Sequence, residues 1–102
     1  MVNFPMRVIA KRTLQAFWES HAETKQPLLS WYDEARHADW RSWTDIKVLY
    51  ASASSLRNGR VCFNIKGGNY RLVVHIHYRS KIVYIRFVGT HADYNKIDAN
   101  TV

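Results

Sequence analysis

Four side chains in the second half of the chain have the chemistry that RNA cleavage needs. The segment YIRFVGTHADY, from Tyr84 to Tyr94, contains the guanidinium of Arg86, the imidazole of His91 and the phenol of Tyr94, and Arg71 precedes it. A base takes the proton from a ribose 2′-hydroxyl, cations stabilise charge on the phosphoryl oxygens, and an acid protonates the leaving 5′-oxygen. Histidine suits either proton role, because its ordinary pKa of about 6.5 lies close to working pH. The alternative for His91 is a structural role at the end of a strand.

Hydrophobic periodicity predicts the helices that support these groups. Apolar residues recur at helical spacing from Lys11 to about His21. A second helix continues to about Ala38, with Thr24 as its N-cap and Pro27 in its first turn. The pattern also indicates a short third helix over 44–50. Trp18 and Trp31 fall on the apolar side of these helices, where we expect core residues.

After a loop at 51–59 the period changes from helical to alternating. Strands are predicted at 60–66, 70–78 and 82–90, joined by Gly67-Gly68-Asn69 and a tight Arg79-Ser80 turn, and a short strand at 6–10 precedes the helices. The order predicts one α+β domain over 1–102, with helices on one face of a small, mainly antiparallel sheet.

Alternation divides the three long strands into two unlike faces. The apolar face, which the helices should cover, comprises Val61, Phe63, Ile65, Leu72, Val74, Ile76, Val83, Ile85 and Phe87. The opposite face, called here the polar face, comprises Arg60, Cys62, Asn64, Lys66, Arg71, Val73, His75, His77, Tyr84, Arg86 and Val88. Arg71 and Arg86 are therefore expected as neighbours on adjacent strands, outside the core.

The polar face is also where the positive charge lies. The net charge is +7, and no acidic residue occurs between Asp45 and Asp93, an interval that contains eight Lys or Arg residues. Such a segment favours a polyanion, nucleic acid first and an anionic membrane surface second. The groups expected to bind RNA are Lys66, Asn64, Asn69, His75 and Tyr84, by phosphate contact, hydrogen bonding and stacking. An ordinary solvated sheet face is the alternative, and Asn69 has a further alternative role in its turn.

Composition excludes several other classes of protein. With 47% hydrophobic and 14% aromatic residues, the chain should fold. The single Cys62 excludes an intrachain disulfide framework, and His75-x-His77 has metal-site spacing but no carboxylate on its face, so we expect no metal or cofactor. There is no apolar run of about 20 residues and no secretory pattern at the start, which predicts a cytoplasmic protein without membrane contact.

Two motifs give a family resemblance. FNIKGGNYRLVVHI followed by YIRFVGTHADYNKID, together with the start MRVIAKRTLQAFWESH, resembles the HigB family of toxins from bacterial type II toxin–antitoxin systems, over Met6 to Val102. The resemblance implies a RelE-like fold and a metal-independent mRNA endoribonuclease that acts on mRNA held by the translating ribosome, arresting translation and growth. It also implies a HigA-type helix-turn-helix antitoxin, whose complex with the toxin represses their operon; operator DNA would be contacted only through that complex.

The resemblance also assigns residues. It carries over Asn69 and Arg71 from an N-x-R motif, Arg86 from the strand arginine, and His91 and Tyr94 from a T-H-x-x-Y motif. Lys66 follows by position. Asn95 stands where the family usually has Asp, and Asp93 or Asp98 is a possible substitute. Arg71 and Arg86 would bind the scissile phosphate, His91 would act as acid or base, and Tyr94 would assist by proton transfer or stacking.

Two other functions fit the residues without the resemblance. A non-catalytic RNA- or ribosome-binding module would use the same polar face, and would bind RNA in a salt-sensitive manner without cutting it. A DNA-binding domain is less well supported, because no helix-turn-helix pattern with a basic second helix is present.

Overall fold

The computed structural model describes residues 3–102 and confirms the α+β class. The elements in chain order are β1 (Arg7–Ile9), α1 (Lys11–Ser20), a 3₁₀ turn (Ala22–Thr24), α2 (Lys25–His37), α3 (Trp43–Leu49), β2 (Ser54–Ser55), β3 (Arg60–Ile65), β4 (Tyr70–His77), β5 (Ile82–Thr90) and α4 (His91–Tyr94). They form one sheet of order β1-β5-β4-β3-β2, in which β1 is parallel to β5 and the other pairs are antiparallel.

The predicted helices and the hairpin between β4 and β5 are confirmed. The Lys81 N–H donates to the Tyr78 carbonyl at 3.3 Å, which closes the expected tight turn. The capping role of Thr24 was wrong: it precedes α2, but its hydroxyl donates to the His21 carbonyl at 2.7 Å because the 3₁₀ turn holds it in helical conformation. The predicted loop at 51–59 contains the short strand β2, and α4 was not predicted at all.

The main core lies between the helices and the apolar face of the sheet. Leu14, Leu28 and Ile46 from the three long helices are fully buried. Trp31 meets Phe63 edge-on with ring centroids 5.4 Å apart, and Trp40 stacks on the same ring at 6.0 Å. Trp18, expected in the core, is only partly buried at its margin. Because the helices cover one face only, the other face remains available for a site.

A β-bulge in β5 changes which residues share a face. Val74 pairs with Ile85 but Val73 pairs with Phe87, so Arg86 has no partner on β4. An extra residue in one strand shifts the alternation beyond it. Phe87 therefore packs on the polar face and Val88 packs against the main core, the reverse of the prediction for both.

Candidate nucleic-acid interface

Arg71, His91 and Tyr94 come together at one end of the polar face; we call them the rim cluster. An Arg71 Nη2 atom lies 2.9 Å from His91 Nδ1, and the Arg71 guanidinium carbon lies 5.8 Å from the centre of the Tyr94 ring. Arg71 Nη1 donates to the Gly68 carbonyl. The imidazole is exposed, whereas the guanidinium and phenol are half-buried. A cation, an imidazole and a phenol thus share a single solvent-accessible corner.

The backbone around the rim cluster explains why these groups meet. His91 begins α4, directly after β5, and its N–H donates to the Asn69 carbonyl at 3.1 Å, which ties it to the turn before Arg71. The Thr90 hydroxyl caps the helix by accepting from the Asp93 N–H at 3.1 Å. One helical turn then separates His91 from Tyr94, so their side chains lie on one side of α4. The T-H-x-x-Y spacing therefore brings the helix cap, the imidazole and the phenol together.

Tyr94 lies in a largely apolar environment beside Cys62. Burial raises the pKa of the Tyr94 phenol, and the neighbouring Cys62 raises it further, while Arg71 opposes this. Burial likewise raises the pKa of the Cys62 thiol. The phenol and the thiol are therefore both protonated at neutral pH. Protonated Tyr94 can donate a proton, whereas protonated Cys62 is a poor nucleophile.

A second group of cations lies farther along the polar face, and we call it the distal cluster: Arg60, His75, His77, Tyr84 and Arg86. Arg60 Nε and Arg86 Nε both donate to the main-chain oxygen of Val102, at 2.9 and 3.2 Å. The His75 and His77 rings lie 4.6 Å apart, and His77 meets Tyr84 edge-on at 5.1 Å. Burial lowers the pKa of His75, and Arg60 lowers it further.

Arg86 is not the direct neighbour of Arg71 that alternation predicted. Arg71 pairs with Gly89, which is three residues beyond Arg86 on β5. At about 3.3 Å per residue this is a separation of about 10 Å along the strand. The register of the rest of the hairpin would pair Arg71 with Val88, so the bulge adds one residue to this separation.

A small apolar layer that the sequence did not predict lies between the two clusters. Residues of the 97–102 segment cover part of the polar face; the layer contains Cys62, Val73 and Ala99 as buried residues, with Leu56, Phe87, Tyr94, Ile97 and Val102 around them. The available signal was the apolar spacing of Ile97, Ala99 and Val102, which is too short and irregular to identify an element.

The remaining predicted RNA-binding residues surround the rim cluster. Asn64 pairs with Arg71 across the strands, and its side-chain nitrogen donates to the Ser52 carbonyl at 3.1 Å. Asn69 is exposed in the turn. Lys66 is also exposed, but its place on a strand face was wrong: β3 ends at Ile65, and Lys66 has a φ of 52° within the turn.

The cations of the polar face have no Asp or Glu partners within residues 3–102. The ion pairs found there are Arg36–Asp33, Arg41–Asp39 and Lys81–Asp39, all away from this face. Arg71, Arg60 and Arg86 instead donate to main-chain oxygens and an imidazole. Neither acceptor of Arg71 is an anion, so the rim cluster keeps its positive charge.

Residues 3–102 contain neither a metal-binding cluster nor a membrane-spanning helix. The described residues contain no cluster of three or more His, Cys, Asp or Glu side chains that could hold a metal ion. From Asn3 onward, no helix has both the length and the apolar character needed to cross a membrane.

Helices on one face of a five-stranded sheet, with a basic polar face opposite, are the architecture expected of a RelE-like α+β protein. A family model described as HigB toxin, the RelE-like toxic component of a toxin–antitoxin system, matches residues 24–97, and the chain belongs to this family. Membership implies an antitoxin as its partner. A comparison with curated proteins gives no match.

Proposed function

We propose that the protein is an mRNA endoribonuclease that cleaves without a metal, acts in the cytoplasm on mRNA held by the translating ribosome, and is neutralised by a HigA-type antitoxin. The observation that carries the proposal is the 2.9 Å contact between the Arg71 guanidinium and His91 Nδ1. It joins a phosphate-binding cation to a proton acceptor at an exposed corner. Toxin membership supports the same conclusion.

The contact defines the protonation of His91. A guanidinium has only donors, so Nδ1 must accept, and the neutral ring then carries its hydrogen on Nε2. A phosphate that binds Arg71 competes for the same donor. Phosphate binding would thus release the Nδ1 lone pair beside the scissile linkage, where it can take the proton of a 2′-hydroxyl. His91 is therefore our candidate for the general base.

The proposed reaction proceeds by transfer within the RNA. The deprotonated 2′-oxygen attacks phosphorus, the bond to the 5′-oxygen breaks, and the products carry a 2′,3′-cyclic phosphate and a 5′-hydroxyl. Arg71 stabilises the charge on the phosphoryl oxygens. Tyr94, whose raised pKa keeps it protonated, gives its proton to the leaving 5′-oxygen or to a water between them.

The distal cluster would extend the RNA-binding surface away from the cleavage site. Arg60 and Arg86 already converge on one oxygen atom, that of Val102, as two cations would on a phosphate oxygen. Tyr84 and the two histidines add flat rings suited to base stacking. In this arrangement Arg86 contributes to RNA binding more than to the chemical step.

The test is strand scission of translated mRNA after brief induction, mapped by primer extension. Wild type should give discrete new 5′ ends and growth arrest. His91→Ala should slow cleavage by about 10²–10⁴-fold, the usual contribution of general acid–base catalysis. Arg86→Ala should weaken RNA binding and slow cleavage at low RNA concentration. His37→Ala, which removes another exposed histidine on α2, is the matched control and should cleave normally.

Two results would contradict the proposal. Full cleavage by His91→Ala would remove the imidazole from the mechanism. Intact mRNA, with wild-type protein bound to ribosomes in a salt-sensitive manner, would identify a non-catalytic binding module instead.

A further inference from the structure

A pocket at the free edge of β1 has no part in the proposed RNA chemistry. It has a volume of about 330 Å³ and lies between the strand and α2; its lining residues are Asn3, Phe4, Met6, Arg7, Val8, Tyr32 and Arg36. β1 is the last strand of the sheet on this side and pairs only with β5. The pocket therefore combines an open strand edge with aromatic and cationic walls.

The Arg36 guanidinium is held between two aromatic rings in this pocket, where it can bind an anion. Its guanidinium carbon lies 4.2 Å from the Phe4 ring centre and 4.7 Å from that of Tyr32. Nη2 donates to Asp33 at 2.7 Å, but Nε is buried and has no acceptor among residues 3–102. A buried charged donor without an acceptor is costly, and a carboxylate bound to the exposed part of this guanidinium, whose side chain is 28% exposed, would offset that cost. Stacking on two rings also lowers the entropy lost when such an acceptor binds.

The strand edge supplies main-chain groups beside this clamp. The Arg7 N–H points towards β5, where it donates to the Lys81 carbonyl at 2.9 Å. Groups of the next residue point the other way, so the N–H and C=O of Val8 face the free edge. The N–H of Met6 points to the same side and donates to the Arg36 carbonyl at 3.3 Å, which ties β1 to the end of α2. Val8 is thus the position at which an added strand would pair.

The charge around the pocket is positive on balance. Arg7 and Arg36 line it, and Lys11 lies 5.3 Å from the Tyr32 ring centre. Asp33 is the acidic group in contact with Arg36, and its side chain is 62% exposed. An acidic ligand would therefore meet three cations and a single carboxylate, that of Asp33, whose charge is screened by solvent.

We propose that an extended, acidic segment of the antitoxin adds to the edge of β1, pairs with Val8 and places a carboxylate against Arg36. Main-chain pairing at an open edge gives affinity, and a pocket for one side chain gives specificity. The inference depends on the chain being a toxin with an antitoxin partner, and is independent of RNA cleavage.

The experiment measures antitoxin affinity by calorimetry for three variants of the purified toxin. Val8→Pro removes an N–H that the toxin's own sheet does not use, so it should block strand addition while leaving the fold intact. Arg36→Leu keeps an apolar group between the rings but removes the charge, and should lower affinity about 10- to 100-fold. Arg41→Leu, which also removes an arginine paired with an aspartate, is the matched control and should bind normally.

Hydrogen exchange provides a readout that does not depend on the variants folding. In the wild-type complex the Val8 amide should become protected relative to the free toxin. Unchanged exchange at Val8, or unchanged affinity in both test variants, would overturn the proposal. It would also be overturned if a short RNA, but not the antitoxin, altered the NMR signals of Val8 and Arg36. Loss of antitoxin binding by variants that still cleave RNA separates this inference from the proposed function.

Discussion

Replacement of Arg71 by lysine tests whether the geometry of the rim cluster, and not only its charge, drives cleavage. Arg71 donates from Nη1 to the Gly68 carbonyl and from Nη2 to His91, and it lies over Tyr94. A lysine ammonium is a single point with no planar fork. It can reach the Gly68 carbonyl or a phosphate, but it cannot hold the turn and donate to the phosphoryl oxygens at the same time. The Arg71→Lys variant should therefore still bind RNA but cleave it more slowly.

The magnitude follows from the bonds that are lost. A hydrogen bond to a charged group contributes about 1.5–3 kcal/mol, so the loss of one such bond in the transition state should slow cleavage about 10- to 150-fold. Arg71→Ala removes the charge as well and should slow cleavage by about 10²–10³-fold, as for other groups that stabilise phosphoryl or oxyanion charge. Cleavage rates that fall from wild type to Arg71→Lys to Arg71→Ala would indicate that Arg71 both positions the phosphate and stabilises its charge.

The assay is single-turnover cleavage of mRNA on programmed ribosomes, with thermal unfolding measured in parallel. Unfolding is needed because loss of the bond to Gly68 could loosen the turn. Arg41→Lys, a change at an arginine whose side chain is 77% exposed, should leave the rate unchanged. Equal rates for wild type and Arg71→Lys would refute the geometric role. Equal rates for wild type and Arg71→Ala would refute any role in catalysis.

Two further predictions concern stability and pH. In Gly89→Ala the new Cβ would lie 2.6 Å from the far end of the Phe87 ring, so we expect a loss of about 1–3 kcal/mol in the free energy of unfolding by urea; an unchanged midpoint would mean that the ring moves aside freely. Because folding lowers the pKa of His75, this group favours the folded state above its unfolded pKa of about 6.5, and the contribution is lost as the pH falls. Bound RNA should raise that pKa, which an NMR titration with and without an oligonucleotide can measure; an unmoved curve would contradict a role for the distal cluster.

The sequence alone predicted those helices and strands whose hydrophobic residues recur with a regular period. The helical stripe of Leu14, Leu28 and Trp31, and the alternation along β3 and β4, place the core on one face, because each of these segments keeps one period throughout. The position of the rim cluster could also be predicted, because His91 and Tyr94 follow directly after β5 and the apolar–polar alternation located the end of that strand.

The bulge, helix α4 and the cover over the polar face could not be predicted, because none of them follows a regular hydrophobic period. A single inserted residue at Arg86 exchanges the faces of Phe87 and Val88, and nothing in the residue types around it marks a bulge. The helix α4 has one turn, which is too short to show periodicity. The cover formed by Ile97 and Val102 is a tertiary contact between segments that no local pattern relates.

These departures explain how a crowded set of cations is held ready for an anion. Without the bulge Arg71 would pair with Val88, two residues from Arg86, and like charges near each other on one face repel. The bulge increases this separation to three residues, about 10 Å along β5. The oxygen of Val102 accepts hydrogen bonds from Arg60 and Arg86. Arg71 is then left with a carbonyl and an imidazole as partners, neither of which neutralises it. The same spacing that relieves repulsion gives an RNA strand two separate cationic positions, one at the reacting phosphate and one farther along.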